Sequence, residues 1–403
     1  MHSPLPPDPI LPGTSPNLPQ TRVAETRMLW TLLFGNFVTG TGILLPAGML
    51  SELAAGLNVS VPAAGSLILV SGAVVAVGAP LVAAFTSAVD RRRLLLASMA
   101  IYVVAHIAAA LSPSFEMLMA SRVAMAVAAA IFTPQAAATV GALLHSERRS
   151  SAITMIFIGW SLATVGGMPL GGYVADKFGW QVAFWVVAAM SVLAAIAVWL
   201  TVPGGVRIVP LSAASWKQVL NSKALMTVLL VTVLNGTGQF TFFTYLNPSL
   251  KESLGASAAM LTFVLAWYGV SATLGNVLAS RFVSRIGPPR AALLTLLAMA
   301  TGLMLWGAGS GALAVVLLAA TIWGLGTFAT NSIQQARLAG IAPELTSASI
   351  ALNTSAIYFG QAAGSGIGGM LIKAGAMPYL PWVGAVILLA AAGVSRVAQA
   401  FET

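Results

Sequence analysis

Twelve long apolar stretches, separated by short polar or turn-rich segments, set the pattern of this chain. They lie near 28–49, 63–87, 94–112, 116–143, 151–174, 181–202, 224–247, 258–280, 290–309, 312–336, 346–372 and 379–397. A helix crossing the hydrocarbon core of a bilayer needs about 20 mostly apolar residues, so each stretch is predicted to be a membrane span. The fourth and eleventh are long for an upright crossing and are expected to tilt or to have irregular ends. The first twenty residues break the pattern, with seven prolines and almost no periodicity. They read as part of a disordered cytoplasmic tail over 1–26, lacking the basic start and apolar core of a signal peptide.

Composition supports the same picture. Hydrophobic residues make up 58% of the chain and charged residues 7%, against about 25% charged in a soluble domain. A water-facing surface cannot be built from so little charge, so lipid is the expected surroundings. There are no cysteines, which excludes disulfides and thiolate metal sites. His2, His106 and His145 are scattered, so no metal and no cofactor are expected. The net charge of +9 admits a nucleic-acid reading, but loop positions explain it better. With the amino end inside, fifteen Lys and Arg fall in cytoplasmic segments and only Lys177, Lys251 and Lys373 outside, as the positive-inside rule requires. No nucleic-acid partner is expected. Arg122 is left within a span.

The two halves repeat. Gly159, Ala163, Gly167 and Gly171 recur as Ala356, Gly360, Gly364 and Gly368, at a constant offset of 197. The same offset relates Gly72 to Gly269 and Ser60 to Ser257. A parallel six-plus-six repeat predicts two bundles flanking a midplane cavity. The expected organisation is a first bundle over 27–202, a cytoplasmic linker over 203–223 and a second bundle over 224–403. The fold class is an all-α integral membrane protein of twelve transmembrane helices in two pseudo-symmetric six-helix bundles. One chain then contains its own path, so a monomer is expected.

The stretch "GWSLATVGGMPLGG" holds five glycines and a proline in fourteen positions. Small residues spaced i+4 form a stripe that lets two backbones approach closely in lipid. Pro169 removes one helical hydrogen bond and should kink the helix there. The stripe reads equally as tight packing and as part of a moving contact.

The longer stretch "GWSLATVGGMPLGGYVADKFGW" resembles the fifth-helix antiporter motif of the major facilitator superfamily. More narrowly it resembles the twelve-span drug:proton antiporter group, which includes bacterial sugar, purine-nucleoside and chloramphenicol exporters. The resemblance runs from about Arg27 to the C-terminus. It implies that the helix of Gly159, Gly167, Pro169 and Gly171 packs against the partner half and helps seal the outer side. It also implies a location in the bacterial inner membrane with both termini cytoplasmic. The family's fourth-helix pattern appears as Leu118 to Arg122, with Ala126 where glycine is usual. In the loop "AFTSAVDRRRLL", Arg92 and Arg93 match the family, but Asp90 falls two places late. In "SRFVSRIGPPR", Arg285, Gly287 and Arg290 match and Ser284 replaces the acid. The charge latch implied for these loops is therefore incomplete.

Ionisable groups inside spans are functional candidates by default. Arg122 and His106 are the coupling candidates, read against an interfacial arginine and a packing histidine respectively. No acid lies in the middle of a span; Glu52, Glu116 and Asp176 remain near the outer ends. Asn36 and Thr39 lie in the first span. Asn235, Gln239 and Phe243 share one face of the seventh, and Trp323, Asn331 and Gln335 lie in the tenth. The family lines its central path with spans one, four, seven and ten. Amides and rings without fixed charge suit a neutral or weakly polar solute, whereas their plain reading is glue between helices. The expected function is a secondary transporter exporting a small organic solute or drug by alternating access, and the resemblance implies exchange for protons. Uptake of a small metabolite is the alternative. An enzyme or a channel lacks support, because no catalytic constellation or ring of charge is present.

Overall fold

The computed structural model describes residues 22–86, 88–207 and 213–402. All regular structure among them is helical. The first half holds α1 (Arg22–Gly48), α2 (Leu50–Gly56), α3 (Val61–Phe85), α4 (Arg91–Ala110), α5 (Phe115–Leu143), α6 (Ser146–Leu162), α7 (Met168–Phe178) and α8 (Trp180–Thr201). A π-helical turn, Ala163–Gly167, joins α6 to α7. After α9 (Ala213–Asn221) come α10 (Lys223–Phe243), α11 (Leu246–Leu254), α12 (Ala258–Ile286), α13 (Pro288–Gly309), α14 (Leu313–Ile341), α15 (Thr346–Lys373) and α16 (Leu380–Glu402).

Helical structure occurs within both the expected tail and the expected linker. Helix α1 starts at Arg22, and its first turn is tied by the ion pair of Glu25 with Arg148 at 2.8 Å. Residues 1–21 lie outside the described residues. Within the linker, Ala213–Asn221 is helical, and Val206 accepts a bond from the Arg91 amide at 2.9 Å. Residues 208–212 also lie outside the description.

Eleven segments are long and apolar enough to cross a membrane. The remaining expected span, α15, has 28 residues but a more polar sequence. Protein encloses much of it, since it packs against both α10 and α3. Some of its polar groups find partners there: Asn353 Oδ1 accepts from Thr232 at 2.8 Å, and the Ser365 carbonyl accepts from Tyr245 at 2.8 Å. Apolar side chains such as Val77, Val104, Leu294 and Val386 face outward, while Asn36, Arg122, Gln334 and Asn353 are buried. Polar inside and apolar outside is the arrangement a lipid solvent imposes.

The repeat persists in three dimensions. Ser60 caps α3 and Ser257 caps α12, each hydroxyl accepting from the amide three residues on at 3.3 Å. The pairs α4–α5, α4–α8, α3–α5 and α1–α8 correspond to α13–α14, α13–α16, α12–α14 and α10–α16. The glycine stripes obey the same symmetry, and their small-residue faces turn toward their own half. A methyl group at Gly159 would strike the Leu33 carbonyl and lie 2.7 Å from the Phe37 nitrogen, both on α1. Gly167 and Gly171 lie against Thr41 and Leu45 of the same helix. In the second half Gly360 and Gly364 lie against α10. Each stripe therefore seats its helix within its own half.

The other face of each motif crosses between halves. A methyl at Gly269 of α12 would lie 2.8 Å from the Val165 Cα, and one at Gly72 of α3 would lie 3.0 Å from the Ala362 nitrogen of α15. Val165 and Ala362 are themselves 197 residues apart, so these are equivalent seams. They differ in build: the α12 seam meets the π-helical turn, whereas α15 is a regular α-helix at the matching place. Pro169, lacking an N–H, follows directly on that turn, so the expected kink takes the form of a widened turn.

Candidate functional site

Helices α1 and α10 are the most enclosed spans, with 83% and 72% of their apolar windows buried. Both bring polar side chains to the centre of the molecule, in two different environments.

In the first half the polar groups are mostly engaged with one another. Asn36 donates to the Ile156 carbonyl at 3.1 Å and accepts from Thr133 at 2.9 Å. It thus ties α1 to α6 and α5, the helix-glue role. Pro46 has no N–H, which leaves the carbonyl four residues earlier, that of Gly42, without its helical donor. Arg122 of α5 supplies the missing bond at 2.7 Å and donates to the Ile43 carbonyl at 3.1 Å. The guanidinium is 1% exposed, so it does not reach out to an interface. Next to it, His106 Nδ1 lies 2.8 Å from the Tyr102 carbonyl. A carbonyl can only accept, so Nδ1 carries the proton. His106 Nε2, buried and without a partner, faces Gly42. Tyr102 donates to the Thr39 carbonyl at 2.7 Å, and the Thr39 hydroxyl is a second buried group without a partner.

In the second half the centre is aromatic. Phe243, Tyr268 and Trp323 form one cluster, with ring centroids 4.5 Å apart for Tyr268 and Trp323 and 5.5 Å for Phe243 and Tyr268. Trp306 and Phe242 extend it. Gln239 donates to the Tyr268 hydroxyl at 3.1 Å, and that hydroxyl lies 2.9 Å from the Thr327 hydroxyl. Four buried polar atoms here have no partner: Asn235 Oδ1, Asn331 Oδ1, and the indole nitrogens of Trp306 and Trp323. Such atoms are costly unless something polar meets them. Gln335 is half-buried on α14. Its neighbour Gln334 is engaged, donating to the Val228 carbonyl at 3.1 Å and accepting from Arg337. The sequence reading missed Tyr268 and Trp306, because a lone ring in an apolar span carries no periodic mark.

A third group joins the two halves at the end of the bundle where α1 and α10 finish. Ser51 donates to Asn247 Oδ1 at 2.7 Å, and Asn247 Nδ2 donates to the Gly48 carbonyl at 2.8 Å. Lys251 pairs with Glu52 at 2.6 Å. Glu52 is thus the acid, among the three near the span ends, that bridges the halves; Glu116 lies in the first turn of α5, which Ser114 caps, and Asp176 pairs with Lys177 at 3.5 Å. The short helices α2 and α11 that carry these groups follow α1 and α10 at equivalent points of the repeat. Glu52→Gln should weaken this junction by about 1 kcal/mol, the scale of a partly exposed ion pair. The ratio of opened to closed molecules at this end then rises about fivefold. Because the chain has no cysteine, one cysteine in place of Thr262, which lines the crevice beside Gly48 and Glu52, reports this directly. An unchanged labelling rate in Glu52→Gln would remove the junction's role in closure.

At the opposite end the bonds of the basic residues join groups of one half. Arg91, buried, bonds Gln135 and the Thr86 carbonyl. Arg92 donates to the Trp199 carbonyl. Arg337, also buried, holds Gln334, Ser395 and Glu402. Arg285 and Arg290 are exposed on α12 and α13. Asp90, displaced in the motif, caps α4 by accepting from the Arg93 amide at 3.0 Å. Arg91, Arg92 and Arg337 thus each bond to groups of their own half. Among the described residues no group of three or more His, Cys, Asp or Glu could hold a metal.

Comparison with known proteins gives this geometry a context. The sequence model described as Major Facilitator Superfamily matches residues 32–248 and 228–398. The inner membrane transport protein YdhP of Escherichia coli K12 is 29% identical over 362 residues, covering 89% of this chain and 92% of its own length. The MFS-type transporter YbcL of Bacillus subtilis is 26% identical over 365 residues, covering 90% and 93%. A solved POT family transporter in complex with 5-aminolevulinic acid superposes with a TM-score of 0.77 at 14% identity, over 93% of this chain and 96% of that one. An inward-facing, unoccupied bacterial homologue of the human lysosomal transporter Spinster gives 0.70 at 16%, over 95% and 97%. At these identities the two structures bear on the fold alone.

Proposed function

This chain belongs to the major facilitator superfamily, and from that premise we propose that it exports a small neutral or weakly polar organic solute in exchange for protons. One observation carries the reading. The two halves are bonded together at one end through Gly48, Ser51, Glu52, Asn247 and Lys251, while the unpartnered indole nitrogens of Trp306 and Trp323 sit in the aromatic cluster and unpartnered amide oxygens of Asn235 and Asn331 lie about two helical turns from it along α10 and α14. A centre with open hydrogen-bonding capacity, reached from one side at a time, is what alternating access requires. Loop charge supports placing the bonded end outside and both termini in the cytoplasm. Rings supply apolar contact area, and the amides and indoles orient a solute without demanding a charge on it.

Flux into inverted membrane vesicles, with and without an imposed pH gradient, tests the reading against a panel of antibiotics, sugars and nucleosides. A substrate should accumulate only with the gradient. Flux that ignores the gradient overturns proton exchange, and gradient-driven movement in the other sense makes the protein an importer. Asn331→Ala should raise the half-saturation concentration of that substrate about fivefold, the scale of one hydrogen bond, with folded yield unchanged. An unaltered half-saturation concentration would take Asn331 off the path.

A further inference from the structure

Away from the centre, a cavity of about 420 Å³ opens between the start of α4 and the segment that follows α8. We propose that it binds the phosphate of an anionic phospholipid. Its polar wall is made by Asp90, Arg92, Arg93 and Arg207, with Trp199 and Gly205 beside them. Three arginines and one aspartate thus line it, and the carboxylate is already engaged. One of its oxygens accepts from the Arg93 amide at 3.0 Å, the other from the Gly205 amide. Gly205 reaches it through a left-handed backbone, φ 83°, which glycine adopts without a steric penalty. Asp90 therefore shapes the cavity, and the charge left open to a ligand is positive. Arg92 is partly engaged through the Trp199 carbonyl. Arg93 and Arg207 are exposed and line the same space.

The setting selects a lipid over other anions. The cavity lies where α4 begins and α8 ends, beside Trp199 and Leu200, whose side chains are 59% and 73% exposed. Those side chains belong to the outward, apolar surface of a spanning helix, and tryptophan favours the level of the headgroups. A ligand there meets arginines above and apolar surface below, which matches a phosphodiester carrying acyl chains. Arginine pairs with phosphate through two parallel hydrogen bonds, and basic pockets at helix ends are a recurring form of lipid recognition.

The test uses the full chain purified in detergent and incubated with mixed micelles of phosphatidylglycerol or phosphatidylcholine, followed by repurification and measurement of retained lipid. Phosphatidylglycerol should be retained in preference to phosphatidylcholine. Each arginine removed should lower that retention about fivefold, the effect of one basic side chain at an anionic surface. Arg207→Gln, a loop substitution, should show one such step and Arg93→Gln/Arg207→Gln two. The exposed pair Lys217→Gln/Lys223→Gln, which removes equal charge elsewhere, should leave retention unchanged. Equal retention of both lipids, no loss in Arg207→Gln, or an equal loss in the lysine pair would overturn the proposal. So would displacement of the lipid by millimolar inorganic phosphate, because the cavity would then be a site for a free anion.

Discussion

Gly364→Ala is expected to lower the stability of the folded protein by about 2 kcal/mol, whereas Gly171→Ala leaves it near wild type or slightly improves it. The two glycines belong to the same repeated stripe, and sequence alone gives them equal weight. What lies opposite differs. A methyl at Gly364 would strike the Thr237 carbonyl and lie 2.8 Å from the Thr241 nitrogen, both backbone of α10. Backbone cannot step aside without moving the helix, and forced overpacking costs about 1–3 kcal/mol or more. The alanine's better helix propensity, about 1 kcal/mol, offsets only part of this. At Gly171 the obstacle is Leu45 Cδ1, the far end of a flexible side chain, so the propensity gain stands almost alone. Thermal unfolding in micelles measures the difference. Equal midpoints for the two variants would mean that the stripes do not set the helix spacing.

Arg122→Ala should be still more damaging, and Pro46→Ala should repair part of the damage. Removing the guanidinium deletes two charge-assisted hydrogen bonds, each contributing about 1.5–3 kcal/mol. It also leaves the Gly42 carbonyl buried without a donor. Restoring an N–H at position 46 returns the helical donor to that carbonyl. The double variant should therefore be about 1–2 kcal/mol more stable than additivity allows, a coupling of the size expected for directly linked groups. Transport then separates two roles for Arg122. If flux returns with stability in Pro46→Ala/Arg122→Ala, the arginine holds α1 in shape. If the protein refolds yet fails to accumulate solute against a gradient, Arg122 also serves coupling. Strict additivity of the two substitutions would show that the bond to Gly42 contributes nothing.

The spans and the repeat were legible because each leaves a mark. Length and apolar content mark a span, and a constant offset, shared by Ser60 and Ser257, marks the repeat whose helix caps the structure then supplies. What each face meets was not legible. A soluble helix shows its buried side by the contrast of apolar and polar stripes, but a membrane helix is apolar all round and loses that contrast. Hence the stripe through Gly159 and Gly171 gave the spacing of a close contact without telling α1 from the partner half. Asn36 and Asn331 looked alike for the same reason, although the first is saturated by Ile156 and Thr133 and the second keeps an open carbonyl oxygen. Arg91 and Arg337 counted as loop charges, and only packing shows that they are buried helix fasteners. The junction of Glu52 with Lys251 joins residues 199 apart, and no local pattern pairs them.

The polarity of α15 bears on how the chain is made. A stretch with the hydroxyls and amides of Ser347, Asn353, Thr354 and Gln361 partitions poorly from the translocation machinery into bare lipid. Its partners α3 and α10 are synthesised before it, and they offer the donors, acceptors and close backbone that lipid cannot. Helix α15 therefore enters the bilayer as a late guest of a nearly finished bundle, and its insertion depends on the earlier helices having found their places.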